Sequence, residues 1–248
     1  MQAQQLSLDV IANNLANVQT TGFKKQKIEF QDLLYQTTRT AGAAQGANST
    51  LPTGIQIGHG SQPVATAKVF TTGELTNTGE MLDVAIQGDG FFQVTLPNGD
   101  FAYTRDGAFK RDRDGNLTTS NGMALTAAIT IPPDAKSVDI SPGGNVTITT
   151  ANGQEETALP IFRFVNPAGL ENIGQNLFAQ TLSSGDATEG VPTEEGFGSL
   201  AQGYIEKSNV KVIEEMVNMI VSQRAFEVNS KAVQAADDMM EQANNLKR

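Results

Sequence analysis

The chain has 248 residues, 39% of them apolar, and carries 27 acidic against 17 basic side chains for a net charge of −10. That length is enough for the core of one large or two small domains. The acidity argues against nucleic acid or an anionic membrane surface as a partner, since both are held by clustered Lys and Arg.

The one short basic run is Lys24, Lys25 and Lys27. Without Cys there are no disulfides or thiolate metal sites. With 12 Phe, 3 Tyr and no Trp, the core is expected to be aliphatic and thin in places. No apolar run approaches the roughly 20 residues of a membrane span, so no direct membrane insertion is expected. From Met1 to Leu15 there is no basic stretch followed by an apolar one, so no secretory signal peptide is read.

Residues 3–18 place Leu8, Ile11, Leu15 and Val18 at spacings of three and four, which predicts a helix with one apolar stripe. Thr20, Thr21 and Gly22 read as its stop. Asn13, Asn14 and Asn17 lie beside the stripe. Such amides either form a polar helix face or fix the register of a packing seam through paired hydrogen bonds.

Residues 36–62 are rich in Gln, Thr, Ala, Gly and Ser and read as a loose arm that is extended or orders on assembly. The middle of the chain reads as β structure. Residues 82–96 give two apolar runs around a tight turn at Gly88, Asp89 and Gly90. Turn signals follow at Pro97–Asp100, Asp114–Gly115, Asn121–Gly122, Gly143–Asn145 and Asn152–Gly153. Between them Phe101–Arg105, Val138–Ile140, Val146–Thr149 and Leu159–Phe164 read as short strands of a sandwich or small barrel-like domain. Residues 183–203, rich in Gly and acids, read as a linker.

From Asn209 to Leu246 there is neither Gly nor Pro. Val221, Ala225, Val228, Ala232, Ala235, Met239 and Leu246 follow a heptad-like seam, with Gln242 at one seam position. A second stripe recurs at sevens through Val212, Met219, Phe226, Val233 and Met240. A helix over this stretch is about 60 Å long. A partner helix half that length cannot cover two stripes, so the pattern points to packing against other chains.

Signals for chemistry are weak. His59 is the only His, and a triad or a zinc site needs partners the sequence does not group with it. Asp112–Asn116 lacks the further ligands of a calcium loop and reads as a hairpin turn. Gly88–Asp89–Gly90 lacks the third Gly and the helix of a nucleotide fingerprint. The pairs Glu155–Glu156 and Glu194–Glu195 sit in polar stretches and read as solvated surface. No catalytic residue, cofactor site or metal site is assigned, and the chain is not expected to be an enzyme.

Three ordered segments are similar to those of the bacterial flagellar rod and hook proteins. They are Ile11–Val18 with Thr21–Lys24, then Gly88–Val94 with Tyr103–Phe109, then Ser208–Val210 with Glu214–Val217 and Gln223–Glu227. Asp32–Gln36 and Leu51–Gly58 resemble the distal-rod branch of that family more than its proximal-rod or hook branches. Members of the family carry a short further stretch ahead of the position of Met1.

The resemblance implies a structural subunit of a stiff, self-assembling helical tube, located in the basal body where the rod crosses the periplasm. Such a tube transmits torque from motor to hook and serves as an export conduit. The implied partners are further copies of the chain, proximal rod proteins, hook or hook-junction proteins and the surrounding ring proteins. Export would use the flagellar apparatus itself.

The fold expected is α+β. N- and C-terminal helices (1–30 and 205–248) form a coiled-coil-like terminal domain, 31–70 is an extended arm or connector, and 71–204 is a β-rich outer domain. The residues expected at the assembly interface are Leu8, Ile11, Asn13, Asn14, Leu15, Asn17 and Val18 on the first helix. On the last helix they are Val221, Ala225, Phe226, Val228, Ala232, Ala235 and Met239.

Overall fold

A computed structural model describes residues 2–41, 44–46, 49–50, 52–151 and 153–245. Three expectations, Leu51, Asn152 and Leu246, lie outside the described residues. The architecture is mixed helix and strand, as the α+β reading requires, with α1 (Gln2–Ala16) near the start and α2 (Val212–Asn245) at the end. Two compact units divide the chain. One gathers residues 1–12, 26–67 and 216–248; the other gathers 13–25 and 68–215.

In the first unit the stretch read as loose is paired backbone. Gln26–Asp32 runs against Ser61–Lys68, and Tyr35–Arg39 runs antiparallel to Ile55–Gly58. The alternation that would betray a strand is diluted by Thr, Gln and Gly, and none of the residues in the second pair is buried. Tyr35 faces Gly58 across the ladder, and its ring occupies the space a side chain there would need. A two-stranded ribbon without a buried face is marginally stable on its own in water.

The second unit holds the β core. Phe92–Thr95, Phe101–Thr104, Leu177–Ala179 and Glu171–Gly174 form a four-stranded antiparallel sheet. Ser137–Ile140, Asn145–Thr149 and Gln154–Ala158 form a three-stranded one. The turn at Asp112–Gly115 joins Lys110–Arg111 to Leu117–Thr118, as its sequence promised.

One expectation is corrected and another is extended. The two apolar runs around the tight turn at Gly88–Asp89–Gly90 join different sheets. Val84–Gln87 pairs with Ser199–Gln202, whereas Phe92–Thr95 pairs with Phe101–Thr104. The glycines carry the chain between sheets, with Gly88 at φ 112° and Gly90 at φ 150°. Residues 183–203 are correspondingly more than a linker. Thr188–Gly190 and Ser199–Gln202 are strands, and Leu200 is buried in the main core.

That main core is largely aliphatic, built from Val84, Ile86, Leu117, Ile129, Val146, Ile148 and Ile161 around Phe92 and Phe109. A second cluster is aromatic: Phe91, Tyr103, Phe162, Phe164 and Phe178 pack edge to face, with Phe70 against Phe91 and Phe178. The main core is aliphatic as expected, and the few aromatic residues are concentrated in one place. Edge-to-face pairs of this kind contribute about 0.5–1.5 kcal/mol each beyond burial.

Candidate assembly interface and its internal anchor

The interface candidates divide sharply by burial. On α1, Ile11 and Asn14 are buried, Leu8 and Leu15 are half-buried and Asn13 is exposed, while Asn17 and Val18, in the turn just past its end, are half-buried. On α2, Val221, Val228, Ala232, Ala235 and Met239 are exposed, and Ala225 and Phe226 are half-buried. Val228 is 64% exposed. Glu215 is the one buried residue of this 34-residue helix, and it sits in its first turn. From Met216 to Asn245 the helix carries a line of uncovered Val, Ile and Met.

The asparagines separate into two settings. Asn17 Nδ2 donates to Asn13 O at 2.9 Å and to Asn13 Oδ1 at 3.0 Å, and Thr20 Oγ1 donates to Asn17 Oδ1 at 3.2 Å. This chain of bonds closes the C-terminal end of α1, where carbonyls run out of helical donors. Asn14 is instead 1% exposed, and its Nδ2 donates to Glu215 Oε2 at 3.3 Å. Lys25 Nζ stands 2.6 Å from the other oxygen of Glu215. A carboxylate in the first turn of α2 also favours the helix electrostatically.

Beside this pair lies a second, deeper ion cluster. Glu206 Oε1 accepts from Lys24 Nζ at 2.6 Å and from Gly73 N at 2.7 Å. Its Oε2 accepts from Arg105 Nε at 3.0 Å, with Arg105 Nη2 also at 3.0 Å. All three charged side chains are buried. Arg105 Nη1 donates to the carbonyls of Gly88 and Gly90, and Lys24 Nζ donates to Thr71 O at 2.8 Å.

Two cations thus share one carboxylate away from water. Burial, then the neighbouring Arg105 charge, lowers the Lys24 pKa to about 8, with Glu206 opposing the drop. Lys68 is lowered too, by burial; its ammonium lies 4.3 Å from the Phe23 ring centroid and donates to Lys24 O. Burial raises the Asp106 carboxyl.

The backbone repeats the convergence. Asn209 Oδ1 accepts from Lys25 N at 2.7 Å, while its Nδ2 donates to Val69 O and Thr71 O. Gly22 N donates to Glu206 O at 2.8 Å. Gly22 has φ 68°, and a Cβ there would lie 2.6 Å from Asp106 N, so the position demands Gly. The segments around residues 22–25, 69–73, 88–106 and 206–215 are stitched into one anchor by polar groups.

Sequence reasoning missed this anchor. Lys24 and Lys25 read only as part of a short basic run, and Glu206 stood in no motif. The available signal was a Lys pair at a helix stop within an otherwise acidic chain. Nothing in the anchor offers chemistry to a substrate, because the Arg105 donors and both Glu206 oxygens are spent internally. Among the described residues no cluster of His, Asp or Glu could hold a metal ion. No described helix is long and apolar enough to cross a membrane.

Comparison with known proteins agrees along the chain. Residues 1–24 match the family profile of the flagella basal body rod protein, 85–148 that of the flagellar hook protein FlgE/F/G D1 domain, and 201–246 that of the flagellar basal body rod FlgEFG protein C-terminal region. The flagellar basal-body rod protein FlgG of Borreliella burgdorferi is 50% identical over 253 residues, covering 100% of this chain and 96% of that protein. The FlgG of Buchnera aphidicola from Schizaphis graminum is 45% identical, covering 99% of this chain and 96% of that protein. A flagellar hook protein, FlgE of Helicobacter mustelae, is 42% identical but covers only 50% of this chain and 28% of its own length.

Proposed function

We propose that this chain, which belongs to the flagellar basal-body rod protein family, works by burying the exposed face of α2 against the terminal helices of neighbouring copies. It is a structural subunit of the flagellar distal rod, and its family is structural rather than enzymatic. The observation that carries the packing mechanism is the line of apolar side chains along α2 that the chain itself leaves uncovered. A 34-residue helix is about 50 Å long. Burying an exposed Val or Met side chain is worth about 1.5–3 kcal/mol, so a few such residues per copy supply a strong drive to associate.

In this reading α1 and α2 of successive copies form a coiled-coil-like tube whose stiffness comes from continuous helix packing. Leu8 and Leu15 contribute from α1 and Val18 from the turn after it, and Val221, Ala225, Phe226, Val228, Ala232, Ala235 and Met239 contribute from α2. The buried Asn14 serves inside the subunit, tying the end of α1 to the first turn of α2, and Ile11 is buried within the single chain. The β core then faces outward. The tube crosses the periplasm between motor and hook, turns within the ring proteins, meets proximal rod and hook or hook-junction proteins at its ends, and is exported by the flagellar apparatus.

Electron microscopy of basal bodies from cells lacking the gene tests the placement. Short rods without hooks or filaments are expected. Complete flagella in those cells would overturn it.

A further inference from the structure

The chain passes between its two compact units four times, after residues 12, 25, 67 and 215. Force carried along the chain from one unit to the other has no covalent route but these four peptide bonds. On the side of the second unit, three of the passages end in a charged residue: Lys25, Lys68 and Glu215. Asn14 stands one residue inside the remaining passage.

Within the second unit these four chain ends are tied to one another. Glu215 spends its two oxygens on two other passages: Oε2 accepts from Asn14 Nδ2 at 3.3 Å, and Lys25 Nζ lies 2.6 Å from Oε1. Lys68 Nζ donates to Lys24 O at 3.0 Å and Val69 N donates to Lys25 O at 2.9 Å, which joins the second passage to the third. Asn209 bridges the same two, accepting from Lys25 N and donating to Val69 O. From Lys24 the network runs inward through Glu206 to Arg105, whose Nη1 holds the carbonyls of Gly88 and Gly90. Those glycines lie between the strands of two different sheets. All of these residues belong to the second unit. The apolar clusters already account for burial there, and buried ion pairs add little net stability beside well-packed apolar groups. What charge-assisted contacts add is direction, since they resist displacement of one particular segment against another.

We propose that Glu215 and its partners form a clamp through which the four passages carry torque together. The proposal rests on reading the chain as a rod subunit, and it assigns the polar anchor a mechanical role in addition to its part in folding. Contacts loaded in parallel share a force, whereas contacts loaded one after another fail singly. Because Glu215 grips two other passages with one carboxylate, a pull on α2 is passed at once to the chain at Asn14 and Lys25. The link from Lys24 through Glu206 and Arg105 then spreads it to both sheets.

The chain has no Cys, so introduced thiols can carry the handles of an optical tweezer without background. Handles at V217C and R113C load the purified full chain across the clamp, whereas handles at R113C and D186C lie within the second unit and bypass it; all three positions are exposed. E215Q keeps the shape of the side chain and an acceptor for Asn14 but removes the charge that faces Lys25. At constant force E215Q is expected to shorten the lifetime across the clamp about tenfold and to leave the bypassing pair unchanged. Equal lifetimes across the clamp, or the same shortening for both pairs of handles, would overturn the proposal. Should E215Q not fold, K25Q removes the same ion pair at a side chain that is 26% exposed and is read in the same way. In cells, E215Q is expected to give rods of normal length that slow or stall under the load of a tethered cell. Normal rotation under that load, or loss of the rods themselves, would overturn the torque role. Absence of the unaltered chain from isolated rods would instead remove the rod reading, whatever the tweezer shows.

Discussion

The two parts of α2 are governed by different chemistry. Its first turn is held by a buried carboxylate, Glu215, which meets Asn14 and Lys25, and the neighbouring Glu206 gathers Lys24 and Arg105. Beyond Met216 the same helix makes no such commitment and shows Val, Ile and Met to solvent. The contrast teaches that folding and assembly are assigned to separate stretches of one element. Polar pairs, which are specific in geometry and costly to leave unpaired, fix where the helix begins. Apolar side chains, which are non-directional, are left for surfaces that must meet many copies.

Separation of this kind makes the two stretches separable by mutation. The largest effect is expected from Val228→Asp or Ala232→Asp. Both positions are exposed in the free chain, so the melting transition should move by no more than about 0.5 kcal/mol. Rods should nevertheless be absent from cells, because assembly would bury an unpaired charge. Normal rods from both variants would dissolve the distinction.

Glu206→Ala acts on the other stretch. It leaves Lys24 and Arg105 together in a buried site without their carboxylate, which should cost about 3–5 kcal/mol by denaturant unfolding. Lys24→Met is the informative companion, since it leaves the Arg105–Glu206 pair intact and electrically balanced. It should cost distinctly less than Glu206→Ala, and equal losses would mean that the charges are not what holds the anchor.

A pH titration sharpens the same point. The folded-state pKa of Lys24 is about 8 against an ordinary 10.5. Between these values the unfolded chain binds the extra proton and the folded chain does not. The Lys24 contribution to stability therefore rises with pH across that window and is constant below it. The gain is at most about 3 kcal/mol, read as the difference between the unaltered chain and Lys24→Met. A difference that stays flat from pH 8 to 10.5 would show that Lys24 is not constrained in this way. The smallest effect is expected at the end of α1, where Asn13→Ala removes the side-chain acceptor for Asn17 and should cost about 1 kcal/mol.

Legibility in the sequence followed the range of the interactions. Helices α1 and α2 were readable from period, because three- and four-residue spacing is a local property. The hairpins at Asp112–Gly115 and Gly143–Asn145 were readable because their turns demand particular residues. The pairing of Val84–Gln87 with Ser199–Gln202 was not, because nothing near Gly88 states which sheet each flank joins. The arm strands were hidden for a different reason: with no buried face, Tyr35–Arg39 and Ile55–Gly58 have no alternation to show.

Of the candidate interface, the exposed seam of α2 stood out from its heptads. The role of Asn14 did not, since its partner Glu215 is 201 positions away. Nothing local pairs Lys24 with Glu206, 182 positions away, and only the fold shows that each has its counter-charge.

The central claim is that the exposed seam of α2 becomes buried in the assembled rod. A single thiol introduced by V228C into this cysteine-free chain measures it directly, by comparing the rate of maleimide labelling in the purified subunit and in isolated basal bodies. The account predicts rapid labelling of the free chain and protection in the rod. Equal labelling in both would contradict it.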